Sequence, residues 1–285
     1  MPSADIANLI PGKKPSSAIG KVLRLYWAFA RVGFVNTLAY RLRYFTGIVT
    51  YFIYVSVYYF IWKAIYAHSA SIEGFDFAHL LTYIGVGWII RSFYFNNIDQ
   101  EIAYQVMEGR LAMDLIKPVN IQLMYVARAA GESVFRLALL TVPTAVVLFL
   151  VYPLRLPASF AHAGAFLVSV ILSFLIVAAI NFAVGTFALR LQSILGLLRA
   201  KFFLLELFSG LLLPMTFFPH VVQKILDLLP FQYISYVPML IYLGKLHGGG
   251  LARAIAVQVF WVISLLAIGE GLWRWSSKKV TIQGG

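Results

Sequence analysis

Four charged residues lie inside or at the edge of long apolar stretches of this 285-residue chain. If those stretches cross a membrane, each buried charge costs at least about 2.5–3.5 kcal/mol, so we expect it to pair or to line a polar path. Both signs occur at similar depth: Arg91, Glu132, Arg136 and Glu206. We predict that Glu206 pairs with Arg91 or Arg136. Structural ion pairs and the lining of a translocation path both remain open as roles.

Residue patterns typical of catalysis or metal binding do not occur in the sequence. The five histidines are not arranged as HExxH, and there is no GxSxG nucleophile turn. The string at residues 11–17 lacks the spacing of a phosphate-binding loop. We therefore predict no catalytic, cofactor-binding or metal-binding residues here, and any ATP and Mg²⁺ would be bound by another chain.

Composition indicates an integral membrane protein. Of the residues, 61% are hydrophobic and 12% are charged, whereas a soluble domain carries about 25% charged residues. The net charge of +12 would suit nucleic acid, but the basic residues flank apolar stretches, where they interact better with anionic lipid head groups. The bilayer is thus the expected partner, and nucleic acid is not.

Six stretches are long enough for membrane spans, since a spanning helix needs about 20 mostly apolar residues. The sequence therefore predicts an all-α protein with a polar tail at 1–20 and a single transmembrane domain at 21–280. The predicted spans are residues 44–62, 77–95, 133–151, 165–189, 202–218 and 253–275.

Two further apolar segments do not fit a simple crossing. Residues 21–40 have a helical period that places Lys21, Arg24 and Arg31 on one side and Leu25, Trp27, Phe29, Val32 and Phe34 on the rest, which is typical of an interfacial helix. A frayed start to the first span is the alternative. Residues 219–250 contain three prolines and three consecutive glycines, so this segment should be broken into short helices, some of them re-entrant.

The distribution of Lys and Arg predicts the orientation. With alternate loops on alternate sides, 16 basic residues fall on one side and 5 on the other. The basic side faces the cytoplasm by the positive-inside rule. Both termini and the loop at residues 96–125 should therefore be cytoplasmic, and residues 67–77 and 219–250 external.

The cytoplasmic loop contains a short amphipathic helix in the sequence pattern. Ile102, Val106 and Leu111 form its apolar side, and Gly109 interrupts it. A helix of this kind can dock in a groove on a soluble partner. A solvated linker is the alternative.

Two strings in the second half and one in the loop resemble type-2 ATP-binding-cassette (ABC) permeases, the membrane subunits of bacterial ABC exporters, including the daunorubicin-resistance type. The C-terminal strings are Ser209-Gly210 through Pro214 to Phe218-Pro219, and Leu229-Pro230-Phe231-Gln232-Tyr233 with Pro238 and Leu243-Gly244-Lys245. The loop string runs from Gly109-Arg110-Leu111 to Lys117-Pro118-Val119-Asn120. The resemblance covers about residues 20–280.

The resemblance implies an export permease that is not itself an enzyme. Two permease subunits, identical or related, would pair in the bacterial cytoplasmic (inner) membrane and bind two copies of a separate ATPase that holds ATP and Mg²⁺. The ATPase-coupling helix would comprise Glu101, Ile102, Gln105, Val106, Met107, Gly109 and Leu111. The outer gate with its re-entrant helices would include Pro214, Phe218, Pro219, Pro230 and Pro238.

Two other functions remain as alternatives. A secondary transporter would favour inverted repeats with a broken helix in each half, but only the second half has a proline-interrupted segment. A membrane-embedded enzyme acting on lipid would need a polar cluster at the interface, and the scattered histidines are the only candidates for it.

Overall fold

The computed structural model describes residues 18–38, 42–191 and 194–278. These residues form α-helices with short 3₁₀ and π turns, and no β-strand occurs among them. The polar tail before residue 18 lies outside the described residues. In order, the helices are α1 (Ala18–Leu38), α2 (Leu42–Ile65), α3 (Phe77–Tyr94), α4 (Ile98–Met107), α5 (Ala112–Leu115), α6 (Ile121–Arg136), α7 (Val142–Val151), α8 (Phe160–Gly185), α9 (Leu195–Phe208), α10 (His220–Asp227), α11 (Tyr236–Tyr242) and α12 (Gly248–Ser277).

Four helical stretches within the described residues are long and apolar enough to cross a membrane: Tyr44–His68, Ile121–Val151, Phe160–Leu189 and Gly248–Ser277. They contain the predicted first, third, fourth and sixth spans. The predicted second and fifth spans coincide with α3, which has 18 residues and carries Arg91, and partly with α9, which has 14. The all-helical membrane fold is confirmed, and the count of six spans stays a prediction.

Several helices begin at a residue whose side chain satisfies a free backbone N–H. Asp76 accepts from the N–H of His79 at 2.6 Å, and Asn120 from that of Leu123 at 2.8 Å. Because Asn120 caps α6, this helix begins 12 residues before the predicted third span. It then continues past Pro143 through a π turn at Leu137–Thr141, which accommodates the missing proline N–H.

The predicted fifth span, residues 202–218, is wrong at both ends. The helix starts at Leu195 and ends at Phe208, because Gly210 adopts a φ of 82° and Pro214 follows. Beyond it the chain forms the short helices α10 and α11, as the prolines predicted. Gly248, Gly249 and Gly250, expected in the broken segment, instead open α12.

Helix α8 is the centre of the fold. Its Ile176, Ala178, Ala179 and Phe182 are fully buried, and α3, α4, α11 and α12 pack around it. Four helices are thus positioned by contact with this one helix.

Helix α1 packs along α6 through a pair of glycines. A Cβ atom on Gly33 would lie 2.0 Å from the carbonyl oxygen of Arg128, and one on Gly131 would lie 1.8 Å from that of Ala30. Helices in membranes approach this closely where small residues meet. The two backbones therefore touch directly at this crossing.

Part of the predicted apolar face of α1 packs against α6 rather than facing the membrane. Phe29 and Phe34, expected among the membrane-facing residues, pack against Arg128 and Phe135 of α6. Leu25, Trp27 and Val32 remain exposed, as do the basic residues Lys21, Arg24 and Arg31. The basic stripe thus lies away from the α6 contact, where an interfacial helix would meet head groups.

We expect Gly131→Ala to destabilise the protein, because the new methyl group would overlap a backbone oxygen that cannot rotate away. Overpacking of this kind costs about 1–3 kcal/mol. A melting temperature in detergent would report the loss. The matched control is Gly164→Ala in α8, where no atom lies within 4 Å of the added Cβ. Alanine favours helix there by up to about 1 kcal/mol. Equal melting temperatures for the two variants would contradict the close crossing.

Candidate functional site

Arg91 of α3 and Glu206 of α9 form an ion pair at the edge of the helical core. The Arg91 Nε donates to Glu206 Oε1 at 2.6 Å, and its Nη1 donates to the Tyr51 hydroxyl of α2 at 3.0 Å. Rings of Phe95 and Trp88 lie 4.9 and 5.3 Å from the guanidinium carbon. Of the two partners predicted for Glu206, the structure selects Arg91. Aromatic faces and the carboxylate together replace the hydration of the cation.

Arg136 is paired within its own helix instead. Its Nε lies 3.8 Å from Glu132 Oε1, and its Nη2 donates to the Ser133 hydroxyl at 3.1 Å. No ion pair in the described part of the chain joins these residues to Arg91 or Glu206. The four charges singled out in the sequence therefore form two separate pairs rather than one cluster.

A second buried polar network, not predicted from the sequence, lies beside Glu206. Lys201 of α9 contacts Asp99 of α4 and Asn181 of α8, each at 2.7 Å. The Asn181 amide then donates to the backbone and side-chain oxygens of Asn96, at 2.8 and 2.9 Å. The polar run at residues 96–101 is the available sequence signal, but Lys201 directly precedes the predicted span 202–218, where a lysine is expected at the membrane interface.

A small cavity connects the two networks. Its volume is about 30 Å³, enough for one or two water molecules. Arg91, Glu206, Asn181 and Lys201 line it, together with Phe202. Polar groups of α3, α8 and α9 therefore share one small space.

Helix α4 packs its predicted apolar face inward. Ile102 and Leu111 are buried in the main core, and the half-buried Val106 packs against a smaller cluster that includes Ala188, Ile194 and Leu198. A Cβ on Gly185 of α8 would lie 2.9 Å from the Cα of Asp99, so α4 approaches the α8 backbone closely. Gly109, at a φ of 68°, ends the helix region.

The outward side of the segment from α4 to α5 is also apolar. We call it the elbow surface, defined by the exposed side chains Tyr104, Met107, Met113 and Ile116. Ile116 and Met113 expose 75% and 65% of their surface. The expectation that Ile102, Val106 and Leu111 dock on a partner is therefore wrong about the face, because those side chains already pack inside the chain. Glu101 and Gln105 are half-buried between the two faces.

Charged residues fix the elbow to α6. Asp114 is buried and contacts Lys117 Nζ at 2.5 Å, the Tyr125 hydroxyl at 2.9 Å and Arg128 at 3.5 Å. Burial opposes its ionisation, but these donors outweigh burial and hold the pKa of Asp114 below its usual value. Arg128 also contacts Glu101 at 3.2 Å, although burial dominates there and raises the pKa of Glu101.

The segment between α9 and α12 is held by side chains of three helices. The Tyr83 hydroxyl of α3 donates to the Gly210 carbonyl, and Tyr94 bonds to Ser235 at 2.8 Å. Ser173 of α8 and Gln258 of α12 both donate to the Tyr233 carbonyl, at 3.2 and 2.8 Å. Side-chain donors thus satisfy backbone oxygens where the helices are broken.

The predicted gate residues are spread over this segment. Pro214, Pro230 and Pro238 are buried, Phe218 is half-buried and Pro219 is exposed. Nearby, the Lys245 ammonium lies 3.6 Å from the centre of the Phe75 ring and bonds to the Gly74 carbonyl at 2.6 Å. These contacts join the end of α11 to the loop before α3.

The histidines take part in local contacts. His79 lies 2.9 Å from both Asp76 and Arg155, and His162 bonds to Ser159 at 2.8 Å. Within the described residues, no group of three or more His, Asp or Glu side chains is arranged to hold a metal ion.

A family model described as ABC-2 family transporter protein matches residues 52–284 of the chain. The matched region covers more than three quarters of the sequence and extends from within α2 to beyond α12. No curated protein matches the chain.

We expect Glu206→Gln to lower the folded yield, because Arg91, whose side chain is only 12% exposed, would be left without its counter-charge. Breaking a buried pair on one side costs about 3–5 kcal/mol. Monodisperse protein on size-exclusion chromatography measures the effect, and adding Arg91→Gln should restore part of the yield. Glu73→Gln is the control, since Glu73 is exposed and lies outside the helices. A Glu206→Gln yield equal to that of this control would place Glu206 in contact with water or head groups.

Proposed function

Because this chain belongs to the ABC-2 family of transporter proteins, we propose that it is the permease subunit of an ATP-driven exporter. Membership makes it a multi-pass membrane permease of an ABC transporter, and it confirms the resemblance to type-2 permeases. The proposal adds that ATP and Mg²⁺ bind to a separate ATPase, present in two copies, and that a second permease, identical or related, completes the path. The daunorubicin-resistance type stays a prediction.

The elbow surface is the observation that supports an ATPase partner most directly. Four large apolar side chains project from the end of α4, from α5 and from the residue that follows α5, flanked by the exposed charges Glu108 and Arg110. A cluster of exposed apolar side chains rimmed by charge is typical of a protein interface. We propose that this surface, rather than the buried side of α4, enters the groove of the ATPase.

We further propose that Arg91, Glu206 and the segment from Pro214 to Pro238 border the transport path. The ion pair joins α3 to α9, and the exposed face of α9, on which Phe203 exposes 63% of its surface, leaves room for a second subunit. The broken segment would cap the outer side. Its internal hydrogen bonds to α3, α8 and α12 would keep that cap closed at rest.

The proposed orientation places both termini and the elbow in the cytoplasm of a bacterial cell. The chain has no cysteine, so single substitutions are clean probes. Ser71→Cys should react with a membrane-impermeant thiol reagent in intact cells, whereas Glu108→Cys should react only after the cells are opened. Both positions are exposed in the structure. The reverse pattern of labelling would invert the orientation.

We expect Met107→Asp combined with Ile116→Asp to abolish co-purification of the ATPase, because two new charges would have to be desolvated on docking. The permease should still insert and elute as a folded protein, since both side chains are exposed. Val221→Asp is the matched control: Val221 is also apolar and exposed, at 71%, but it lies on α10 on the proposed outer side.

A second comparison separates docking from folding. Leu111→Asp should reduce the folded yield itself, because Leu111 is 4% exposed. Full ATPase binding by a folded Met107→Asp/Ile116→Asp variant would contradict the assignment of the elbow surface.

A further inference from the structure

Helix α9 is weakly embedded in the fold. Of the 14 residues of α9, only Leu198 has a buried side chain. Apolar residues such as Leu195, Phe203 and Leu204 are exposed. A helix with few buried apolar contacts has little packing energy to hold it in one place. Its position must therefore depend strongly on its polar contacts.

Those polar contacts join α9 to two different helices. Glu206 pairs with Arg91 of α3, and Lys201 pairs with Asp99 in the first turn of α4. The Lys201 side chain is 13% exposed and that of Asp99 is 1% exposed, so water competes weakly for either charge. The middle and the last turn of α9 are thus tied to separate elements.

The tie to α4 has an apolar part as well. Leu198 lies one turn before Lys201 and belongs to the same buried cluster as Ala103, which lies one turn after Asp99. The ion pair and this small apolar cluster therefore lie on one face of α9 and on one face of α4. The cluster limits rotation of α9 about the ion pair, which a single ion pair would permit.

We propose that the Asp99–Lys201 pair passes displacement of α4 to α9, with both residues acting as positioning residues for transport. The inference rests on the proposed function, because the ATPase at the elbow surface would supply the displacement. Asp99 faces into the protein, whereas the elbow surface faces out. The ATPase would therefore push on the outer side of α4, and α4 would pull α9 through Asp99 on its inner side. Asn181 contacts the same ammonium and keeps Lys201 aligned between α4 and α8.

The first experiment uses the permease alone in lipid nanodiscs. Spin labels on Gln100→Cys and Phe203→Cys, both exposed positions in a cysteine-free chain, report the distance between α4 and α9. Lys201→Gln should broaden the narrow distance distribution of the parent protein, and Lys201→Arg should restore it by keeping the charge. Arg199→Gln, which removes an exposed charge from the same helix, should leave the distribution unchanged. An unchanged distribution in folded Lys201→Gln would overturn the inference.

The second experiment uses the complex with the ATPase and moves the reference label to Phe260→Cys, an exposed position on α12. Addition of ATP and Mg²⁺ should shift the 203–260 distance in the parent protein and in Lys201→Arg. Lys201→Gln should retain the ATPase and lose the shift. A residue that merely stabilised the fold would leave the shift intact once the variant had folded, so a retained shift would overturn the inference.

The two proposals fail in different ways. If the parent permease does not retain an ATPase, the proposed function is wrong, while the 100–203 distances still decide whether Lys201 holds α9 to α4. If the ATPase is retained but ATP does not shift the 203–260 distance in the parent protein, the proposed function stands and the inference is wrong.

Discussion

A charged side chain among apolar helices needs a counter-charge, and the arrangement of α3, α4 and α9 depends on that need. Asp99 and Glu206 each face a basic residue on another helix, and the aromatic rings around Arg91 complete its surroundings. Because a carboxylate without its partner would be strongly unfavourable in this setting, the pairs determine where α9 can lie relative to α3 and α4. Packing alone would leave that helix poorly defined.

Backbone groups also need partners where the helices are interrupted. A broken helix frees carbonyl and N–H groups that hydrocarbon cannot satisfy, so such segments occur only where protein or water replaces the lost bonds. Tyr83, Ser173 and Gln258 supply donors to Gly210 and Tyr233. Ser169 in turn donates to the Gln258 oxygen at 2.8 Å and fixes the orientation of that amide. The proline-interrupted segment is therefore stabilised by buried side chains far away in the sequence.

The sequence predicted what depends on composition and local pattern. Hydropathy predicted the all-helical membrane class, and the prolines predicted the broken segment before α12. Local pattern could not show which apolar face of α4 is internal, because an amphipathic helix looks the same whether it docks on its own chain or on another. The role of Lys201 was missed for a similar reason: a lysine near the end of a span is usually at the interface, and only the fold brings Asp99 and Asn181 to it.

Rigid and adjustable contacts are distributed unevenly among the helices. At Gly33 and Gly131 the backbones of α1 and α6 meet without intervening side chains, so this pair has little room to slide. Helix α9 is held differently, through ion pairs and one small apolar cluster rather than through close backbone packing. Displacement of α4 at the elbow would then be passed to α9 through the Asp99–Lys201 pair. Because the glycine crossing is rigid and α9 is held mainly by ion pairs, conformational change is concentrated in α9, the helix that borders the proposed path.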